Sequence, residues 1–328
     1  YVVVAKMPVA GAEYPRTWHE FEEWFPDDSS CAAFVEKLRW PDGFVCPSCA
    51  HVSASPHRAE RGHRLLCPEC RHQTSATTGT IFEKTRTPLR TWFAAAWYMT
   101  NQKSGCSALG LRRALGLGSY QTAWAMLHRY RRAMVRPGRE RLSGSVEVDE
   151  TYVGGLEKGV RGRETKTKSI VVIGVEVLQP KGFGRIRLRT AEDVAGPSLT
   201  AFVVESVQPG STVLTDGWAS YGSLAALGYI HRTHVVATSG HPAHVALPGV
   251  HRVASLLKRW LLGTHQGAVS PWHLDEYLNE FVFRFNRRSS RARGLLFYRL
   301  LEQAVVAPPA TYREIVDPAP ATLGTPSV

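Results

Sequence analysis

Two C-x-x-C pairs, Cys46/Cys49 and Cys67/Cys70, are the residues whose chemistry is set most sharply by spacing. Each pair fits a tight knuckle that turns both thiolates the same way. With 17 residues between the pairs, two knuckles close a tetrahedral four-sulfur site suited to Zn2+. Four thiolate ligands leave no coordination position for a substrate, so the expected zinc is structural. His63 and His72 stand nearby and read as surface histidines. The opening residues have too short an apolar core for a secretory leader. The expected compartment is therefore the cytoplasm, where paired cysteines favour metal over disulfides.

A second set of candidates is acidic. In "SVEVDETYVGG" (145–155), Val146 and Val148 alternate with Glu147 and Asp149, as in a strand with one buried face. Two carboxylates on the opposite face, with Glu150 beside them, repel unless a cation offsets the charge. Asp216 ends a second apolar strand, "STVLTDG" (211–217). Taken singly, Asp216-Gly217 is a turn signal and Asp149 a strand-edge charge. The order of elements around them changes their meaning.

From residue 145 the sequence predicts strands at 145–155, 169–178 and 184–193, a helix at 198–208, a strand at 211–217 and a short helix at 221–228. A fifth strand at 231–237 and a helix at 250–264 follow. Three strands in a meander, then helix, strand, helix, strand, helix, is the order of a ribonuclease-H-like core. In that topology the first and fourth strands are central neighbours, and Asp149 and Asp216 face each other. Such a pair suits Mg2+, and two such ions activate a water or a 3′-hydroxyl for in-line attack on a phosphodiester. The helix at 250–264 then brings its N-terminal end beside the aspartates. His251 lies there, and Lys258 follows two turns later on the same face, placed to hold a DNA phosphate. Glu147 is a candidate supporting ligand. Glu150 reads as structural, pairing with a local base. Glu280 is a rival third acid whose expected partner is Arg284, four residues on.

Upstream, 17–40 reads as two short helices separated at Pro26, with Asp or Ser capping the second. Short strands near 63–67 and 72–80 complete the ribbon. A helix spans 87–104, and 107–134 gives two helices joined by a glycine-bearing turn. Leu109, Leu111 and Leu115 form the inner face of the first; Ala123, Met126, Leu127 and Tyr130 form that of the second. This hairpin suits a helix-turn-helix or an ordinary helical pair in a core. Helices at 270–288 and 293–305 precede a Pro/Ala/Thr-rich tail, read as disordered over 306–328. Net charge is +12, with arginine clusters at 128–142, 158–168 and 284–294, a balance that favours a nucleic-acid partner. No apolar run reaches the roughly 18 residues of a membrane span.

The stretches "LRWPDGFVCPSC", "CPECRHQTSATTGTIF", "VEVDETYVGG", "LTDGWASY", "HRVASLLKRWLLGTHQG" and "YLNEFVFRFNRR" occur in one order. Through them, over about residues 15–305, the chain resembles bacterial insertion-sequence transposases with a zinc ribbon ahead of a DDE-type, ISXO-like core. The resemblance implies an endonuclease and strand transferase that uses Mg2+ or Mn2+ on double-stranded element ends and target DNA, working as a homo-oligomer. It implies Asp149 and Asp216 as catalytic metal ligands, His251 in the third position and Lys258 as the associated base. Related members carry Glu or Asn at the third position, and some subgroups His. The expected class is α+β multidomain: a helical segment at 15–42, the ribbon at 43–80, a helical DNA-binding region at 81–138 and the α/β catalytic core at 142–305. A DNA-binding regulator with an inactive core is the alternative, and a nuclease that cuts without joining is a third reading.

Overall fold

The computed structural model describes residues 7–58, 63–154, 168–234, 246–267 and 269–317. The chain divides into two compact units. One takes in the chain up to Arg136 and again from Ser290; the other is Pro137–Ser289.

The first unit starts with α1 (Trp18–Trp24) and α2 (Asp28–Arg39). Asp27 caps α2 in a reciprocal box, accepting from the Ser30 N–H while Ser30 Oγ accepts from the Asp27 N–H. A small antiparallel sheet follows, in the order β1 (Ser55–Arg58), β2 (His63–Leu66), β3 (Gln73–Thr74). Its third strand is only two residues long, because 75–80 turns on its own hydroxyls: Ser75 Oγ lies 2.9 Å from Thr78 Oγ1, and Thr80 Oγ1 donates to the Thr77 carbonyl. Three helices come next: α3 (Leu89–Asn101), α4 (Ala108–Leu115) and α5 (Tyr120–Ala133). Gly116 ends α4 in the left-handed conformation that a side chain disfavours.

The second unit is one mixed five-stranded sheet, ordered β6-β5-β4-β7-β8. Its strands are β4 (Ser145–Val153), β5 (Ser169–Val177), β6 (Phe183–Ala191), β7 (Thr212–Thr215) and β8 (Ile230–Thr233). β4, β5 and β6 form the expected antiparallel meander. β7 adds to the other side of β4 in parallel, and β8 adds to β7 in parallel. The first and fourth strands are thus central neighbours. The expected helix at 221–228 is a short 3-10 turn at Ala219–Tyr221 followed by further turns. Residues 235–237 of the expected fifth strand lie outside the described residues.

Strand alternation sorts the side chains of this sheet into two cores. Val146, Val148 and Val213 pack on one face with Leu199, Phe202 and Val203 of α6 (Gly196–Ser206). Val171, Ile173 and Val175 pack on the other with Val250, Val253, Leu257 and Leu261 of α7 (Pro248–His265). Leu278 and Phe281 of α8 (Leu274–Phe285) complete that second layer. Burying this apolar surface on both faces holds the central strands rigid.

Two expectations about the C-terminal part change. The sequence reading assigned 293–305 to the catalytic core, but α9 (Arg293–Ala304) belongs to the first unit. Its Phe297 closes an aromatic cluster there, with ring centroids 5.6 Å from Phe21, 5.9 Å from Phe25 and 5.9 Å from Phe93. Apolar periodicity marks a buried face without saying which core receives it. Nor is the tail irregular throughout: α10 (Tyr312–Val316) has a Thr311/Glu314 capping box and buries Ile315 completely. Residues 318–328 lie outside the described residues.

Candidate functional site

The cysteine centre closes within one stretch of chain. Sγ of Cys46 is 3.6 Å from that of Cys70, and Sγ of Cys49 is 3.6 Å from that of Cys67. All four sulfurs lie within 4.8 Å of one another. A tetrahedron with zinc–sulfur bonds of about 2.3 Å has sulfur–sulfur edges of about 3.8 Å, so the four cysteines fit zinc. Each knuckle is closed by backbone bonds. Cys46 N–H donates to the His51 carbonyl and Ala50 N–H to that of Cys46; Cys67 with His72 and Arg71 with Cys67 repeat the pattern. Ala50 and Arg71 take positive φ values of 61° and 60° at the equivalent corner. Desolvation would raise the Cys46 thiol, but the N–H groups of Cys49 and Ser48 and the neighbouring thiols draw it down to about 7, while the same crowding of thiols pushes Cys49 up to about 12, so Cys46 gives up its proton first. A readily formed thiolate is what a zinc ligand requires.

The acidic site is assembled from separate strands. β4 and β7 pair as Ser145↔Thr212, Val146↔Val213 and Glu147↔Leu214. That pairing ends at Glu147↔Leu214; Asp149 lies two residues beyond it on β4, and Asp216 two residues beyond it, just past the end of β7. β7 and β8 pair up to Thr215↔Thr233, and His234 N–H donates to the Thr215 carbonyl at 2.8 Å. The next position in register with Asp216 is His234, an exposed residue that the sequence reading did not select. The signal was present in alternation: Arg232 and His234 repeat the spacing of Leu214 and Asp216.

Both aspartates are part-exposed and oriented locally. Asp216 Oδ1 accepts from the Trp218 N–H at 3.0 Å, across a turn in which Gly217 takes a φ of 85°. Asp149 Oδ1 accepts from the Glu150 N–H at 2.8 Å. Their charges converge on Tyr221, which is fully buried. Burial first, then the carboxylates of Glu150, Asp149 and Asp216, push its phenol far above the ordinary range. The Tyr221 hydroxyl donates to Glu150 Oε2 at 3.3 Å. Glu150 therefore lies on the other face, as expected, where it meets this phenol.

Glu147 has a different task from the supporting ligand expected of it. It is 3% exposed, and its Oε2 accepts from the N–H groups of Gly249 at 2.7 Å and Val250 at 3.0 Å. These are orphan donors of the first turn of α7, where a carboxylate also meets the positive end of the helix dipole. Burial raises the Glu147 carboxyl above its ordinary range, while the two N–H donors and the charge of His234 hold the rise back. A Cβ on Gly249 would lie 2.8 Å from that Oε2 and 3.0 Å from Phe183 Cε1, so the approach needs a glycine. This latch fixes the start of α7 two residues from Asp149 on the same face of β4. His251 is the residue after Val250 and lies in that turn.

Among the described residues, the cysteines are the only group of three or more potential ligands within 4.8 Å of one another. Asp149, Asp216 and His251 do not form such a group; the elements that carry them are joined by the β4–β7 pairing and by the bonds of Glu147 to the start of α7. Two part-exposed carboxylates on adjacent strands suit a hard divalent cation by their donor chemistry. Glu280, the rival acid, is fully buried and pairs with Arg284 at 2.9 Å, as expected.

The helical pair of the first unit proves to be part of a core. Ala123, Met126, Leu127 and Tyr130 are buried as expected, but so are Ala125, His128, Arg131 and Ala133 of the same helix. Arg129 Nε donates to the Ala310 carbonyl at 2.8 Å, and Arg132 Nη2 to that of Glu314 at 3.1 Å. These arginines tie α5 to the C-terminal segment. In α4, Leu111 is buried whereas Leu109 is 41% exposed, and Arg112 and Arg113 face solvent.

The described residues thus hold a four-cysteine ribbon that fits zinc and a mixed five-stranded sheet with Asp149 on its central strand. Two family models match the chain: "Transposase zinc-ribbon domain" over residues 26–73 and "ISXO2-like transposase domain" over 141–286. A protein of Halobacterium salinarum, described as "Uncharacterized protein in transposable element ISH50", is 30% identical over 276 residues, covering 79% of this chain and 91% of that protein. The chain belongs to the zinc-ribbon transposases with an ISXO2-like domain.

Proposed function

We propose that this chain is a DNA transposase that cuts at insertion-sequence ends and joins them to target DNA on a ribonuclease-H-like core. The observation that supports this reading is the parallel pairing of β4 with β7 up to Glu147↔Leu214, which, continued two residues, would bring Asp149 level with Asp216. In this reading Asp149 and Asp216 hold Mg2+ or Mn2+, which supplies the charge that activates the attacking oxygen and stabilises the leaving one. Asp216 is oriented by the Trp218 N–H, and Asp149 by the Glu150 N–H. His251, held by the Glu147 latch at the start of α7, faces the reacting phosphate or its metal from the third side. Lys258, two turns along, neutralises a neighbouring DNA phosphate.

The partner is double-stranded DNA, drawn by the excess of 40 basic over 28 acidic residues. Two element ends act together, so the working form is a homo-oligomer, associated with DNA in the cytoplasm. No helix among the described residues is long and apolar enough to cross a membrane.

The test is cleavage of a plasmid carrying the element's own ends, with Mg2+ or Mn2+ added back to metal-stripped buffer. Wild type nicks and joins; Asp149→Asn and Asp216→Asn bind the ends equally and leave them intact. Binding without cleavage by wild type under every divalent ion would replace this reading with a DNA-binding regulator. Cleavage with no joined product would replace it with a nuclease.

A further inference from the structure

The ladder between β4 and β7 ends at Glu147↔Leu214, two residues short of Asp149 on one strand and of Asp216 beyond the other. Some other contact has to hold the stretch after β7 against β4 if the two carboxylates are to share a cation. That stretch is a tight turn. Gly217 takes a φ of 85°, the Trp218 N–H donates to Asp216 Oδ1 at 3.0 Å, and the Tyr221 N–H donates to the Trp218 carbonyl at 3.1 Å. The turn is seated against the start of α6. Ser220 Oγ donates to the Val194 carbonyl at 2.8 Å, and a Cβ on Gly196 would lie 3.3 Å from the Ser220 carbonyl oxygen.

Tyr221 carries the turn across to β4. The residue is fully buried, in the cluster that holds Val146, Val148, Leu199 and Phe202. Its hydroxyl donates to Glu150 Oε2 at 3.3 Å, and the Glu150 N–H donates to Asp149 Oδ1 at 2.8 Å. Hydrogen bonds therefore run in series from Asp149 through Glu150, Tyr221 and Trp218 to Asp216. The two N–H groups that orient the aspartates sit at the two ends of this series. Glu150 points to the opposite face of β4 from Asp149, a place that suits a tether rather than a ligand. The bond from Tyr221 is long for a hydroxyl to a carboxylate. Losing it would still leave a buried hydroxyl without its acceptor, which costs more than the bond itself contributes.

We propose that Tyr221 is a positioning residue for the acid pair: through Glu150 it holds the turn after β7 against β4, so that Asp216 stays level with Asp149 where the backbone ladder has ended. The proposal rests on the transposase reading for the cation that the aspartates hold. It adds Tyr221, to which that reading gives no task.

The experiment compares Tyr221→Phe, which keeps the ring and removes the tie, with Tyr229→Phe. The control removes another buried phenol hydroxyl from the same cluster, one that donates to the Val207 carbonyl at 3.1 Å. Two quantities are measured on the full-length, zinc-loaded chain: amide hydrogen exchange at Trp218 and Glu150, and Mn2+ affinity from the spin-resonance signal of the free ion. Tyr221→Phe is expected to speed exchange at both amides and to weaken Mn2+ binding about tenfold, the size of one lost hydrogen bond to a charged group. Tyr229→Phe is expected to leave both as in wild type. Glu150→Gln retains an oxygen that accepts from the hydroxyl and should keep exchange at Trp218 slow. In a Glu150→Ala background, Tyr221→Phe should weaken Mn2+ binding no further, because the hydroxyl acts through Glu150. Unchanged exchange in Tyr221→Phe overturns the proposal, as does an equal change in Tyr229→Phe or a further full loss in the Glu150→Ala background. Faster exchange at wild-type Mn2+ affinity overturns it too, because the tie would then have no hold on the metal ligands. Where wild type binds no Mn2+, faster exchange confined to Tyr221→Phe upholds the tie and removes the cation site of the transposase reading.

Discussion

In the ribbon, four sulfurs come from two short turns and lie within 4.8 Å of one another. In the sheet unit, the corresponding groups are separated by 66 residues between Asp149 and Asp216 and 34 between Asp216 and His251. In the proposed site they are brought together by the parallel pairing of β7 with β4 and by the hold of Glu147 on the start of α7. The ribbon is organised by its own ligands and by the metal that joins them. The acidic row is organised by elements whose cores exist for other reasons. A change at a ribbon ligand should therefore be local and large, whereas the row should be damaged from positions that never touch substrate.

Removal of zinc is the strongest test of the first half. Structural zinc contributes about 10 kcal/mol or more to small thiolate sites. Cys46→Ser, or treatment with a strong chelator, should release stoichiometric zinc and open residues 41–80 to protease digestion. Full zinc content in Cys46→Ser would remove the distinction between the regions. Next in size is the acid pair. Asp216→Asn should reduce strand cleavage by about a thousandfold, roughly 4 kcal/mol of barrier, while zinc content and melting temperature stay as in wild type. A variant that still cuts at a tenth of the wild-type rate would place the chemistry elsewhere.

The latch gives a third, smaller effect that belongs to the sheet unit alone. Glu147→Ala leaves two helix N–H groups buried without their acceptor and should cost about 3 kcal/mol of stability. Gly249→Ala should act in the same direction, by forcing a Cβ against Glu147 and Phe183. In both, cleavage should fall by more than DNA affinity does, since α7 carries His251 together with Lys258, which is one of many phosphate contacts. A chemical-denaturation midpoint unchanged in both variants would show that the latch holds nothing.

Acid sharpens the contrast at the low end. Glu176 is 7% exposed, and burial alone would raise it. The guanidinium and N–H of Arg185 and the N–H of Ser143 together hold it below the usual carboxylate range instead. A depressed carboxylate stabilises the fold fully above its unfolded value, about 4.3. That contribution is lost as pH falls through the lower folded value. Glu176→Gln should therefore be less stable than wild type by about 1–2 kcal/mol at neutral pH, with the gap closing below about pH 4. The ribbon should release zinc at higher pH than this, because protons compete directly for its thiolates. Simultaneous zinc release and sheet unfolding in an acid titration would contradict the separate origins of the two sites.

Much of this organisation could be read from local pattern. The C-x-x-C spacing named its own ligand set, because a knuckle is closed by neighbours four and five residues away. The alternation in 145–153 separated Val146 and Val148 from Glu147 and Asp149, because side chains on a strand alternate by geometry. The Asp27-Ser30 cap and the Glu280–Arg284 pair were legible for the same reason. Other assignments depended on partners far along the chain. Nothing within 145–155 distinguishes a metal-ligating Glu147 from one that anchors a helix 102 residues on. The helical period of 293–304 could not say that Phe297 joins Phe21, Phe25 and Phe93 rather than the sheet. The arginine cluster from 128 onwards could not say that Arg129 and Arg132 donate to carbonyls of the C-terminal segment.

The sequence by itself determined the four sulfur ligands, the strands and the faces of the central acids, since each depends on contacts within a few residues or on backbone periodicity. Only the tertiary structure decided that β7 pairs in parallel with β4 and that Glu147 Oε2 accepts from the first turn of α7. Those outcomes depend on strand register and helix docking, which are set by the burial of two apolar cores across the whole sheet rather than by any one segment.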